Sequence, residues 1–425
     1  MILISMLVLF GIFLLIGMPM GFAMGLSAVL PLWYQGQVPL IQLPLRFFSG
    51  LDSFALMAVL LFILAGNLMN VGGITERIIA FARSLVGHLR GGLAQVNILT
   101  SVMFGTVNGA AMADTAAVGS MMIPSMAKEG YDRRFSVVVT AASSLIGPIL
   151  PPSITAIIYA TLTGVSIGKM FLAGIIPGLM VGGAMMALTW FLSPRYGWKP
   201  VGRASLRAVG STFIGASPAI VMPVIIVGGI VSGVFTPTEA GAVAVLYGLV
   251  MAIISRRMNV RQFFEFTLES AKLTASALVI LGGAGLFGWV LTREGFGFMI
   301  EDALLSISTD PVIVMLLILV ALFIIGWFVE GTAAMIITVP TIAPIATGLG
   351  YDPLQFGMAM ILMLLVGAVT PPVGVVALLA CKIGKVEYAS TFRLLYAYCA
   401  VVIFVVLCVA FVPSLTLWLP NVLMN

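Results

Sequence analysis

Apolar positions along the chain fall into runs of membrane-spanning length, separated by short stretches that carry nearly all of the charge. A helix rises 1.5 Å per residue, so about 20 apolar residues cross a hydrocarbon core. Runs of that kind lie near 2–30, 53–72, 170–193, 211–233, 236–255, 272–292 and 388–412. Two more, 135–168 and 355–383, are interrupted midway by Pro151-Pro152 and Pro371-Pro372, and each predicts a helix broken inside the membrane. Two others fit no single crossing. The stretch 92–127 is interrupted at Asn108-Gly109 and Asp114, and 311–347 at Glu330-Gly331. The start, Met1-Ile2-Leu3-Ile4, lacks a basic leader and a small-residue cleavage pattern, so it reads as a retained first span.

Charge placement decides what the two odd stretches are, because cytoplasmic loops are enriched in Lys and Arg. Basic residues cluster at Arg77, Arg83 and Arg90; at Lys128, Arg133 and Arg134; at Arg195, Lys199, Arg203 and Arg207; at Arg256, Arg257, Arg261 and Lys272; and at Lys382, Lys385 and Arg393. All but three of the 20 basic residues belong to these clusters, the exceptions being Arg46, Lys169 and Arg293. One assignment puts every cluster in the cytoplasm, with the N-terminus inside and the C-terminus periplasmic. Under it, 92–127 has cytoplasmic flanks on both sides. Two helices of roughly 16 residues reach about 24 Å each, short of a core of about 30 Å, so a re-entrant hairpin from the cytoplasm is expected, with a pair of short spans with polar tips as the alternative. The stretch 311–347 is flanked by Glu294, Glu301, Asp302, Asp310 and Asp352, and is expected to enter from the opposite face.

A shift of 220 positions superposes the two halves without a gap. Pro124 lands on Pro344, Gly130-Tyr131-Asp132 on Gly350-Tyr351-Asp352, Gly147 on Gly367, Pro151-Pro152 on Pro371-Pro372, Ala160 on Ala380 and Gly164 on Gly384. Each unit reads span, span, amphipathic segment, hairpin, broken helix, span. Four crossings per unit would leave direct copies parallel, and the extra span at 211–233 inverts the second. The expected fold is therefore an all-α polytopic membrane protein of two inverted-topology repeats, an architecture recurrent in secondary transporters. Its parts are 1–91 (spans and arm of repeat 1), 92–169 (hairpin and broken helix), 170–210 (last span and loop) and 211–235 (connector). Repeat 2 follows as 236–310, 311–387 and 388–425.

Composition narrows the chemistry. The chain is 61% hydrophobic and 8% charged, against about 25% charged in soluble domains. The net charge of +5 follows from topology and implies no nucleic-acid partner. Cys381, Cys399 and Cys408 all lie in C-terminal apolar segments and His88 is the single histidine, so neither a transition-metal site nor a catalytic triad has material to work with. No enzyme activity and no organic cofactor are expected.

The breaks are where chemistry is possible. A helix interrupted mid-membrane leaves free carbonyls at one end and free N–H groups at the other, and these cannot be buried unsatisfied. Carbonyls with hydroxyls suit a hard cation such as sodium, and helix N-termini suit an anion. Ser143, Ser144, Gly147, Pro148, Pro151, Pro152, Ser153 and Thr155 surround the first break, opposite a tip at Thr106, Asn108, Gly109 and Asp114. Gly367, Thr370, Pro371, Pro372 and Gly374 surround the second, opposite Glu330, Gly331 and Thr332. For substrate, the candidates are Thr106, Asp114, Ser153, Thr155 and Glu330. Asp114 and Glu330 are the only carboxylates inside the hairpins, and intramembrane acids are functional candidates by default; for Asp114 a helix-capping role stands as the alternative. No Lys or Arg falls in a span core or at a break, so an anionic cargo must be met by helix N-termini, hydroxyls and bound cations.

At these residues the chain resembles the large membrane subunit of tripartite ATP-independent periplasmic (TRAP) transporters. The resemblance lies in N-G-A-A-M-A-D-T-A-A-V-G-S-M-M-I-P at 108–124, G-Y-D at 130–132, A-A-S-S-L-I-G-P-I-L-P-P-S at 141–153, A-G-I-I-P-G at 173–178, F-T-P-T-E-A at 235–240 and T-P-P-V-G at 370–374. It implies a sodium-coupled importer of small organic acids in the bacterial inner membrane, with an elevator-type transport domain. It also implies two partners, a small four-helix membrane subunit and a periplasmic substrate-binding protein. The family's sodium sites carry over onto Asn108, Gly109, Ser143, Ser144 and Gly147, and onto Gly331, Thr332, Gly367 and Thr370, with Pro372 beside them. Two departures stand out. The first tip reads Asn108-Gly109-Ala110 where Ser-Gly-Ser is frequent in the family, and Met363-Leu364-Leu365 stands where an Asn often precedes the second break. The rival expectation is a stand-alone dicarboxylate or anion symporter that needs no binding protein.

Overall fold

The computed structural model describes residues 1–425 except 37, 53, 199–201 and 425, so the Lys199 of one basic cluster lies outside the described residues. All regular structure among the described residues is helical, without a strand. Among the described residues seven helices, Pro311–Phe328 and Gly331–Gly348 included, are long and apolar enough to cross a membrane, or eight if one bent pair counts as a single span.

The first unit comprises α1 (Ile2–Leu15), α2 (Met20–Gln35), α3 (Gln42–Ser49), α4 (Met57–Val71), α5 (Ile74–Val86), α6 (Gly92–Asn108), α7 (Ala111–Lys128), α8 (Arg133–Ser143), α9 (Ile154–Thr163) and α10 (Ile167–Tyr196). A connector, α11 (Leu206–Val231), leads to α12 (Pro237–Ile254), α13 (Val260–Arg293), α14 (Phe296–Ile307), α15 (Pro311–Phe328) and α16 (Gly331–Gly348). The chain closes with α17 (Pro353–Val369), α18 (Val375–Gly384), α19 (Phe392–Phe411) and α20 (Ser414–Leu423).

One expected span is corrected. The run 2–30 is two helices, because Gly17 takes a left-handed φ of 80° and Pro19 supplies the N-cap of α2. Apolar content alone hides such a turn. The expected 272–292 span is the C-terminal part of a longer helix. Asn259 and Gln262 form a reciprocal capping box that starts α13 at Val260. The span expected at 53–72 bends by 72° into α5 at Gly72-Gly73. Helix α5 buries Ile74, Ile78, Phe81 and Ala82 on one face and keeps Glu76 and Arg83 outside, which is the amphipathic pattern of a surface arm.

The shared G-Y-D motif has a local explanation. Gly130 and Gly350 take φ of 85° and 90°, a conformation that glycine adopts without strain. Asp132 and Asp352 then cap α8 and α17, accepting from Arg134 N and Leu354 N at 2.8 Å each. The tyrosines tie each turn to the base of its own hairpin. Tyr131 Oη accepts from Leu93 N (3.1 Å), and Tyr351 Oη donates to Pro311 O (3.3 Å).

Packing between the units is reciprocal. Helix α4 lies on α12 as α2 lies on α13; α7 lies on α18 as α16 lies on α9; and α10 lies on α17 as α8 lies on α19. Each relation becomes its partner when the units are exchanged. Polar ties cross between the units, among them Asn67 Nδ2 donating to Ser270 Oγ (3.1 Å) and the Arg257–Glu76 ion pair (3.3 Å). Tyr159 Oη donates to Pro353 O (2.8 Å), and the Thr189 and Tyr398 hydroxyls bond at 2.7 Å between α10 and α19. Hairpins, broken helices and last spans share one continuous core, whereas α1–α3 and much of α13 form a second.

Candidate functional site

The hairpin arms run 17, 18, 18 and 18 residues, about 26–27 Å each against a core of about 30 Å, and both arms of hairpin 2 are apolar enough to count among the seven candidate spans. The first tip is buried at Asn108 and Gly109, whereas Phe328 and Glu330 at the second are exposed.

At the first break α8 gives way to one tight turn, Ser144–Ile146, and α9 restarts at Ile154. The Ser153 hydroxyl receives Ala156 N (3.1 Å) as the N-cap of α9. Ser153 and Thr155 both donate to the Pro148 carbonyl, the latter at 2.8 Å. Those hydroxyls, expected to face substrate, therefore hold the break's own backbone. The Pro151-Pro152 bond is cis, as is Pro371-Pro372.

The tip of hairpin 1 meets this break backbone to backbone. Gly109 has φ 65°, and a Cβ there would lie 2.3 Å from Pro152 O. A Cβ on Gly105 would lie 2.7 Å from Gly147 Cα. Only glycine permits approach at this range. From behind, α10 closes on the break, with a Cβ on Gly174 falling 2.3 Å from Ile149 O. Asn108 is buried, with its Cα 3.2 Å from where a Cβ of Gly66 in α4 would stand. Ser144 donates to Ala141 O (2.8 Å), while Ser143 bonds Thr140 O (3.3 Å) and the Ser101 hydroxyl (2.9 Å).

The second unit repeats the glycine contact. A Cβ on Gly367 would fall 2.7 Å from Gly326 Cα, and one on Gly326 would fall 3.1 Å from Gly367 Cα. The pair Gly105–Gly147 thus recurs as Gly326–Gly367. The tips differ. Glu330 is exposed and caps α16, accepting from Thr332 N (3.1 Å) and Ala333 N (3.2 Å). Gly331 sits more loosely; among the described residues its Cβ would meet one atom within 4 Å, Leu365 Cδ2 at 3.7 Å. Pro152 is buried but Pro372 is exposed, so the second break is the more open. Thr370 donates to Val366 O (2.7 Å), and Gly374 starts α18 in the left-handed region.

Two cavities occupy corresponding places. One, of ≈ 500 Å³, lies between α6, Leu150-Pro151 and α10, includes Thr106, and is walled by α11. The other, of ≈ 590 Å³, lies between α15, Thr370–Pro372 and α19, and is lined by Phe323, Trp327 and Tyr396. Thr106 donates to Met103 O (2.7 Å). Asp114, expected to face substrate, has no exposed surface at all.

Sequence reasoning missed Asn97, Ser101 and Thr140. Asn97 donates to Thr140 Oγ1 (2.7 Å), and Ser101 bonds Ser143. Asn97, Ser101 and Gly105 recur every four residues, a helical stripe facing α8 that was available as a signal. Among the described residues no group of three His, Cys, Asp or Glu could hold a metal ion.

The chain matches the family model of the tripartite ATP-independent periplasmic transporter, DctM component, over residues 7–415. It is 37% identical over 410 residues to the sialic acid TRAP transporter large permease SiaM of Vibrio cholerae, covering 96% of each chain. It is 33% identical to the 2,3-diketo-L-gulonate TRAP transporter large permease YiaN of Escherichia coli, covering 94% of each. It is 31% identical to the C4-dicarboxylate TRAP transporter large permease DctM of Rhodobacter capsulatus, covering 99% of each. Among solved structures the fold is similar to the Alcanivorax borkumensis YdaH transporter, with TM-score 0.62, 15% identity, and 91% and 90% of the two chains covered.

Proposed function

The chain belongs to the DctM components of tripartite ATP-independent periplasmic transporters, the large permeases of organic-acid carriers, and on that premise we propose that it imports a small organic acid together with sodium. In this reading the two hairpin–break units are inverted copies that move as one elevator-type transport domain against the remaining spans. It works in the bacterial inner membrane beside a small membrane subunit, and a periplasmic binding protein delivers the acid.

The observation that carries the reading is the backbone-tight docking of each hairpin on its break at Gly105–Gly147 and Gly326–Gly367. Such docking gathers carbonyls and hydroxyls where no basic side chain competes for them, which favours a bare cation. Asn108, Gly109, Ser143, Ser144 and Gly147 form the first candidate sodium site. Gly331, Thr332, Gly367, Thr370 and Pro372 form the second. A carboxylate between them is met by the N-termini of α9 and α18 and by the bound sodium, so cargo and coupling ion stabilise each other. That the relatives are named for sialic acid, diketogulonate and C4-dicarboxylates supports an acidic cargo.

The test is uptake into proteoliposomes carrying this chain and its small subunit, with the binding protein loaded with sialic acid or a C4-dicarboxylate. Uptake is expected to need both an inward sodium gradient and the binding protein. Uptake without added binding protein would favour a stand-alone symporter. Uptake indifferent to sodium would overturn the coupling.

A further inference from the structure

Hairpin 1 contains a buried carboxyl group that its protein surroundings leave unpaired. Asp114 lies in the first turn of α7 with 0% exposure, and both carboxylate oxygens lack a hydrogen-bond partner. A capping carboxylate would accept first-turn N–H groups, as Glu330 does at the start of α16. Asp114 does not act as a cap.

The elements packed against α7 are α6, α8, the turn Ser144–Ile146 and α18. Helix α6 and the turn carry no ionisable residue. Arg133 and Arg134 stand at the opposite end of α8 from Ser143, some 16 Å along an 11-residue helix. On α18, Lys382 is exposed and Cys381 carries no positive charge. Among the described residues Asp114 forms no ion pair. Leaving a buried charge unpaired costs several kcal/mol, so this carboxyl group carries either its proton or a bound cation.

The groups around Asp114 indicate which kind of cation suits the site. The Ser101 hydroxyl lies beside the carboxylate and is bonded to Ser143. Two further buried hydroxyls of these same helices, Thr100 and Thr115, also lack partners. Oxygen donors with one formal negative charge match a hard monovalent cation. We propose that Asp114 is the anionic ligand of a sodium site inside hairpin 1, with the Ser101 hydroxyl as a second donor, distinct from the seam between tip and break. Ser143 joins this site to the last turn of α8, so its occupancy is felt at the first break. The proposal rests on the sodium-coupled reading above.

Equilibrium binding of radioactive sodium to the purified full-length protein tests it, with sodium-dependent thermal stabilisation as a second readout. Asp114→Asn is expected to bind one sodium fewer per chain than wild type. Ser101→Ala is expected to keep the stoichiometry and weaken affinity at least several-fold. Equal stoichiometry and affinity in wild type and Asp114→Asn would overturn the proposal, and a proton held on Asp114 would give that result. If Asp114→Asn does not purify as a folded species, unchanged sodium affinity in Ser101→Ala overturns it. A wild type that binds no sodium would instead overturn the coupling reading itself.

Discussion

Gly109→Ala is expected to abolish uptake while leaving a folded, membrane-inserted protein. The new Cβ would stand 2.3 Å from the Pro152 carbonyl oxygen, a backbone atom that no side-chain rotation can move aside. The left-handed φ of 65° adds about 1–2 kcal/mol of strain for any L-residue with a Cβ. The tip must lift from the break, and a misplacement of about 1 Å at such a site can cost about 100-fold in rate. Gly130→Ala is the matched control. Gly130 also has a left-handed φ, 85°, but its Cβ would meet nothing within 4 Å. It should lose about 1–2 kcal/mol of stability from strain alone and keep most of its transport. Uptake assays and melting of both variants separate strain from loss of docking.

Gly367→Ala is the second large effect, and it acts on stability as well as uptake. Its Cβ would fall 2.7 Å from both Gly326 Cα and Gly326 C, and 2.8 Å from Phe323 O. Helix α15 must then separate from α17, and overpacking of this kind costs about 1–3 kcal/mol. Gly326→Ala attacks the same contact from the other side, so the double variant should lose less than the sum of the two singles. Gly331→Ala should be tolerated, because its Cβ would meet only the flexible end of Leu365 at 3.7 Å. The repeat by itself predicts equal sensitivity at both tips. The packing at Gly109 and Gly331 predicts that the first tip is the intolerant one.

That contrast marks where sequence reasoning succeeded and where it stopped. The hairpins, the broken helices and the doubling were legible because Pro-Pro pairs, the G-Y-D turn and Asn108-Gly109 interrupt apolar runs in ways a helix cannot absorb. Charge between the runs supplied a topology that hydropathy alone lacks. The turn at Gly17–Pro19 was hidden because residues 2–30 stay apolar across it. At the sites, residue type showed which groups could bind a cation but not which were already engaged. Ser153 and Thr155 have the right chemistry, yet they spend it on Pro148 O. Glu330 read as an intramembrane acid for substrate and is an exposed cap, whereas Asp114 is the acid that burial isolates. Ser101 was overlooked although it shares a four-residue stripe with Asn97 and Gly105, because the stripe does not name its partner and only the fold places Ser143.

The central claim is that the two hairpin–break units are inverted copies entering the membrane from opposite faces. Cysteine labelling tests it most directly, with Cys381, Cys399 and Cys408 replaced by serine and single cysteines placed at the hairpin bases. Glu129 follows hairpin 1 and Thr309 precedes hairpin 2, and both are exposed. With a membrane-impermeant maleimide on intact cells, Thr309→Cys should be labelled at once, and Glu129→Cys only after the inner membrane is permeabilised. Labelling of both positions from the same side would contradict the inverted arrangement.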